Sequence, residues 1–270
     1  MADAEAIRAF EHAGWERAAG TYEGSFGTAT RQFLPALLDA ALIGPGQPVL
    51  DVACGPGFTT ASAAARGAAV RGLDFSAAML EVARARHPGI DFDQGNAEAL
   101  PYPDGSFDAV ISNFGIHHVP RPALALRQAR RVLRSGGMLA FTIWTAPDEN
   151  IAWKLVFDAI RLCGDPAASK APAPGGGFAT PADCHAALQE AGFAGIGSNK
   201  VHGVWHQANG RALLDALCAG TARMAALIAA QAEDALPAIS AEIDRLATPY
   251  RDTNGLAVPI AAIVAFGRNP

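Results

Sequence analysis

The stretch Val49-Leu-Asp-Val-Ala-Cys-Gly-Pro-Gly-Phe-Thr59 holds the residues best suited to chemistry. An apolar run ends in Gly55-Pro56-Gly57 and gives way to a helical pattern. Glycines let a backbone turn tightly and approach a ligand with no Cβ in the way. The helix start beyond them offers free N–H groups. A carboxylate, Asp51, stands just before the loop. A second, Asp74, follows 23 residues after Asp51 at the end of the next apolar run. An acid at about that distance, at the tip of a second strand, is placed to accept hydrogen bonds from ribose hydroxyls. A third group, Gly115-Ile-His117-His118-Val-Pro120, follows a later apolar run. Histidine titrates near neutral pH and can take a proton there. Adjacent side chains point differently, so at most one of the pair is expected to face a site.

Two ligand classes suit an acid-terminated second strand. Dinucleotide loops need a third glycine in G-x-G-x-x-G, which lets the helix pack close beneath a pyrophosphate. Counted from Gly55, that position is Thr60. Asp51 would also repel a pyrophosphate, whereas it would attract an ammonium group. An adenosyl ligand with an α-amino group and no phosphates meets both conditions. Alternatively, Asp51 caps or braces the loop.

The elements that must position these residues alternate between strand and helix patterns, as a parallel sheet requires. Strand patterns cover 48–54, 68–74, 91–93, 107–113 and 137–144. Helical patterns cover 59–66, 76–86 and 122–134, with Ser76 as an N-cap. Residues 3–42 read as helical, interrupted near 20–27. Past the fifth strand the composition predicts a loop over 171–177, a helix over 181–191 and a strand over 196–205. A helical region over 211–246, broken at Pro237, and a final strand over 256–266 follow. Pro259 places that last strand at an edge or puts the proline early in it. The expected architecture is α/β: a doubly wound, mostly parallel sheet of seven strands, the last antiparallel, with helical lid insertions. One domain spans 1–270, with a helical cover (1–44), a core (45–145), an acceptor side (146–255) and the final strand (256–270).

Composition narrows the classes. Half of the 270 residues are hydrophobic, 17% are charged and mean hydropathy is +0.15, which excludes a disordered chain. No apolar stretch approaches the ~20 residues of a membrane helix. The start, Met1-Ala-Asp-Ala-Glu-Ala-Ile-Arg, has acids where a signal peptide needs bases, so a cytoplasmic protein is expected. A net charge of −5 argues against nucleic-acid partners. Arg127, Arg130, Arg131 and Arg134 recur at helical spacing and read as a solvated helix face. Cys54, Cys163, Cys184 and Cys218 form no CxxC pair, so neither a disulfide framework nor a zinc site is expected. His185, His202 and His206 are scattered, and no metal is expected.

Four ordered segments resemble the class I S-adenosylmethionine (SAM)-dependent methyltransferases, especially the small-molecule group of the ubiquinone/menaquinone-biosynthesis type. They are Val49-Leu-Asp-Val-Ala-Cys-Gly-Pro-Gly57, Gly72-Leu-Asp-Phe-Ser-Ala-Ala-Met-Leu80, Gly95-Asn-Ala-Glu-Ala-Leu-Pro-Tyr-Pro-Asp-Gly-Ser-Phe-Asp108 and Arg131-Val-Leu-Arg-Ser-Gly-Gly137. Ser135 stands where that family usually has proline. The resemblance spans roughly 45–145 and is loose elsewhere. It implies that Ala53, Gly55 and Gly57 line the methionine part of SAM, and that Asp74 binds the ribose. Phe75 and Met79 would sit beside the adenine, with Asn96 and Ala97 at its edge. Asn113 would face the amino end, where Asp51 is also expected. Tyr22 would donate to substrate or SAM, Arg31 would pair with the SAM carboxylate, and Trp15 would cover the pocket.

Methyl transfer requires alignment, exclusion of water and, for a protonated acceptor, a base. His117 or His118 is the candidate base. Segments 146–180 and 206–250, with Trp144, Trp153, Phe178, Trp205 and His206, are expected to form the acceptor side. Their composition suggests a small, hydrophobic organic acceptor methylated at O, C or N. The oligomeric state, including a homodimer, is left open. Alternatives are other chemistry on the same cofactor or a non-catalytic binding role. An NAD-linked oxidoreductase is disfavoured by Asp51 and Thr60.

Overall fold

The computed structural model describes residues 3–172 and 178–270. Most of the loop expected over 171–177 lies outside them. The first three helices are α1 (Ala4–Ala18), α2 (Gly27–Thr30) and α3 (Leu34–Ala40). The alternating half then runs β1 (Pro48–Val52), α4 (Phe58–Ala65), β2 (Ala69–Asp74), α5 (Ala77–Arg86), β3 (Asp91–Gln94), β4 (Phe107–Asn113), α6 (Pro122–Val132) and β5 (Leu133–Trp144). Beyond it lie α7 (Ile151–Cys163), α8 (Pro181–Glu190), β6 (Ala194–Gln207), α9 (Gly210–Gly220), α10 (Arg223–Ala229), α11 (Ala235–Leu246), β7 (Arg251–Asp252) and β8 (Gly255–Arg268).

The strands form one sheet in the order β3-β2-β1-β4-β5-β8-β6, with the two-residue β7 paired to β8. The pairs from β3 to β5 are parallel, and β8 is antiparallel to both neighbours. The expected sheet is therefore present, with one short strand added. Strand side chains alternate between its two covered faces. Leu50, Val110 and Leu139 pack towards α6 and α8, while Val49, Ile111 and Ala140 pack towards α3 and α4. The Ser76 hydroxyl caps α5 by accepting from Met79 N at 3.1 Å.

Three boundaries differ from expectation. The sixth helix stops at Val132, because Leu133 already pairs with Phe107 and a bulge carries the strand past Gly136, at φ +80°, to Met138 opposite Ala109. Arg134 thus lies in β5 and pairs with Asp108, while Arg131 pairs with Asp104 and Arg130 donates to Asn269. The helical region after 210 does not break at Pro237. That proline is in the first turn of α11, where it needs no N–H partner, and the breaks fall at 221–222 and 230–234. The final strand is internal rather than at an edge. Pro259 pairs only towards β6, opposite Val204, because β5 pairing begins at Ala262, so the early position holds.

Candidate functional site

Strand order reverses between β1 and β4: β2 and β3 follow on one side, β5 on the other. The carboxyl ends at such a switch point diverge and leave a crevice. Here the crevice opens into a cavity that is partly continuous with solvent. Its floor carries unusual backbone conformations. Ala53 and Phe114, at the ends of β1 and β4, both have φ of +57°, although neither is glycine. Such strain persists only where the surroundings enforce it, and it concentrates at functional sites. Gly115 follows Phe114, and a Cβ there would lie 2.5 Å from that of Ala53, so the two strand ends touch.

The glycine loop crosses this floor. Gly55, at φ +53°, lines the cavity, and a Cβ added to it would meet only Met79 Sδ, at 4.0 Å. The space beside Gly55 is therefore open to a ligand. Gly57 does different work. At φ +85°, its added Cβ would lie 2.9 Å from the Phe92 ring and 3.0 Å from His87, beneath the loop.

Asp74 ends β2 on the cavity wall, 5% exposed. Gly55 N donates to its Oδ2 at 2.8 Å and Ser76 N to its Oδ1 at 2.9 Å. Burial pushes its carboxyl up to about 6, against the downward pull of those backbone donors. Asp51 is fully buried and does not line the cavity. Thr60 Oγ1 donates to its Oδ2 at 2.7 Å, while Oδ1 has no partner. Asp51 thus braces the start of α4 beneath the loop. Burial pushes Asp51 up to about 7, with the Thr60 bond opposing and the Asp74 charge adding to the rise. A buried carboxylate whose folded pKa is raised stays protonated longer than in the unfolded chain. It opposes folding increasingly as pH climbs through about 7, and not at all below the unfolded value near 4. Asp51→Asn is expected to gain stability relative to the wild type as pH rises from 5 to 9. Urea unfolding at both values checks this, and a constant difference between the two proteins would contradict it.

Of the other candidates, Tyr22, Arg31, Ala53, Phe75, Met79, Asn96, Ala97, Asn113 and Trp15 all line the cavity. Several are also held by the protein. Tyr22 Oη bonds Thr30 Oγ1 at 3.0 Å, and the Asn96 side chain accepts from Glu98 N at 2.9 Å in a local turn. Asn113 accepts from Thr142 Oγ1 at 2.6 Å and donates to Thr30 O at 3.3 Å. Arg31 lies over the Phe58 ring, 4.7 Å from its centre.

The histidines separate. His118 lines the cavity and His117 does not. Burial drives His117 well below the usual histidine range, with the neighbouring His118 and Arg223 charges acting in the same direction. The expected acceptor-side aromatics do not line the cavity either. Trp205 is 1% exposed and donates to Thr28, and Trp144 and Trp153 pack with Phe26. Phe178 packs on Phe141, and His206 is exposed near Asp252. The three tryptophans pack into the core between helices and sheet.

The sequence reading missed Arg8, Glu11, Phe58 and Phe114, all on the cavity wall. Arg8 pairs with the buried Glu98, which also holds Arg121, at 2.7 and 2.9 Å. Glu16, further along α1, accepts from the Ser76 hydroxyl at 2.8 Å. These contacts hold α1 over the cavity. The signal for Glu11 was present: Ile7, Glu11, Gly14 and Ala18 form one buried stripe, with an acid in an otherwise apolar or small-residue row.

Fold and site together define a Rossmann-like, doubly wound α/β domain with a ligand crevice at its switch point. Residues 50–141 match the family model described as methyltransferase domain, so the four motifs are borne out over that stretch. A demethylmenaquinone methyltransferase from Renibacterium salmoninarum is 44% identical over 118 residues, which cover 44% of this chain and 50% of the relative. The chain thus spans about half the length of the curated relatives it matches. Among solved structures, the YcgJ protein of Bacillus subtilis shares the fold with a TM-score of 0.60 and 21% identity, over 88% of this chain and 97% of that one. A SAM-dependent methyltransferase of Thermotoga maritima does so with a TM-score of 0.57 and 20% identity, over 96% of this chain and 100% of that one.

Proposed function

We propose that this chain binds SAM in the crevice beyond β1, β2 and β4 and transfers its methyl group to a small organic acceptor. The observation that carries this reading is Asp74. It is a buried carboxylate on the cavity wall, fixed by the glycine loop, beside the open space at Gly55. That arrangement suits a ribose diol next to a backbone cradle. The absence of a third glycine and the buried Asp51 beneath the loop disfavour a pyrophosphate.

When bound, SAM would supply a methyl group on a sulfonium, whose carbon–sulfur bonding pair stays on sulfur as the methyl leaves. Asp74 would hold the ribose, Gly55 and Ala53 would face the methionine part, and Asn96 and Ala97 would border the adenine. Arg31 and Tyr22 approach from the cover side. Asp51 and Gly57 shape the loop from beneath. Helix α1 excludes water, because its carboxylates and Arg8 fasten it across the opening. His118 is the group placed to accept an acceptor's proton.

The cavity rings Trp15, Tyr22, Phe58 and Phe114 favour an apolar, ring-bearing acceptor. The name of the Renibacterium relative points the same way, so demethylmenaquinone and simpler quinols belong in an acceptor panel. Free cysteines and the lack of a membrane-length apolar helix among the described residues support a cytoplasmic setting. Incubating the protein with SAM and this panel is expected to release S-adenosylhomocysteine with methylated product. Tight SAM binding with no S-adenosylhomocysteine from any acceptor would contradict methyl transfer.

A further inference from the structure

We propose that Glu11 is a positioning residue for His118, engaging Nδ1 so that Nε2 is the nitrogen that takes a proton from the bound acceptor. This rests on the methyl-transfer reading of the site. The three parts of the arrangement come from distant segments: Glu11 from α1, His118 from the turn after β4, and Arg223 from the start of α10. They meet because α1 and the α9–α10 link touch backbone to backbone. A Cβ on Gly14, one turn beyond Glu11, would lie 2.4 Å from that of Ala222.

Glu11 occupies a position in α1 that an apolar side chain would fill for packing alone. Its side chain is 1% exposed, so its charge needs compensation from the protein. Each oxygen has its own partners. Arg223 Nε donates to Oε1 at 2.6 Å, and Trp15 Nε1 donates to Oε2 at 3.0 Å. His118 Nδ1 also lies 3.0 Å from Oε2, off the ring N–H axis, close enough for the ion pair and for a small ring rotation to complete the hydrogen bond. Burial pushes the Glu11 carboxyl up, but His118 and Arg223 more than offset it and hold it below the usual carboxylate range. Glu11 is therefore an anion at neutral pH. The Trp15 ring meets His118 edge-on, centres 5.0 Å apart, and fixes the imidazole plane.

A neutral imidazole carries one proton, and an anionic partner at Nδ1 selects the Nδ1–H tautomer. Nε2 then holds the lone pair. The proton of the acceptor's attacking atom passes to that lone pair. The bonding pair it leaves forms the new bond to the methyl carbon, Glu11 balances the imidazolium charge, and water afterwards takes the proton. His117, buried and outside the cavity, has no part in this.

Nitrogen-15 spectra of the imidazole rings at neutral pH test the proposal without turnover. The neutral His118 ring of the wild-type protein is expected as the Nδ1–H tautomer, and Glu11→Gln is expected to shift it towards Nε2–H. SAM affinity of the variant by calorimetry should stay within about twofold. With a quinol acceptor, kcat should fall about 10- to 100-fold at unchanged KM, and Glu11→Asp should recover part of the loss. A wild-type His118 that is mainly Nε2–H overturns the proposal, and this measurement requires no variant to fold. A tautomer unchanged by Glu11→Gln overturns it equally. If wild-type protein fails to bind SAM, the methyl-transfer reading falls, while the tautomer comparison still decides what Glu11 does.

Discussion

Replacing Asp74 by alanine is expected to weaken SAM binding by about 1–3 kcal/mol, the scale of losing a hydrogen bond to a charged group. The carboxylate ends β2 on the cavity wall, with both oxygens already oriented by Gly55 N and Ser76 N. Each oxygen keeps further lone-pair capacity, the residue lines the cavity, and burial makes any hydroxyl bond there stronger than in water. Because burial raises this carboxyl to about 6, the wild-type site should also lose affinity as pH falls below that value. Asp74→Ala should lack this dependence. Calorimetric titration with SAM at pH 5 and 8 reads both effects. Equal affinity of variant and wild type would remove Asp74 from the site.

Gly57→Val is expected to cost about 3–5 kcal/mol of folding stability, combining a β-branched residue at positive φ with overpacking. The left-handed φ of +85° suits glycine alone, and the added carbon would lie 2.9 Å from Phe92. That ring is packed among Leu80, Ala83 and Cys54 and has little room to move. The damage thus comes from below the loop rather than from the cavity, and SAM binding is lost because the loop cannot form. Urea unfolding reads the change directly. A variant within about 1 kcal/mol of wild type would contradict the packing account.

The parts of this molecule legible in its sequence are those specified locally. The strand–glycine–helix run, the acid ending β2 and Ser76 as a cap each depend on neighbours a few residues away, and the structure places them as expected. The strand that begins at Leu133 was hidden because Arg131-Val-Leu-Arg reads as helix until pairing with Phe107 takes precedence. Trp205 and Trp153 were assigned to the acceptor side from composition, which cannot say whether a ring faces a cavity or a core. The meeting of Glu11 and Arg223 with His118, itself a candidate from the sequence, was beyond reach for another reason. Glu11 and Arg223 lie 212 residues apart, and only the close approach at Gly14 and Ala222 joins them. Asp51 was legible as a residue of the loop, but its depth beneath it was not.

The central claim is that the crevice at the β1–β4 switch point takes a sulfonium nucleoside. Calorimetric titration of folded protein with SAM and, side by side, with NAD tests it most directly. Saturable one-site binding of SAM, weakened in Asp74→Ala, and no binding of NAD are the expected results. Saturable binding of NAD with no heat from SAM would contradict it.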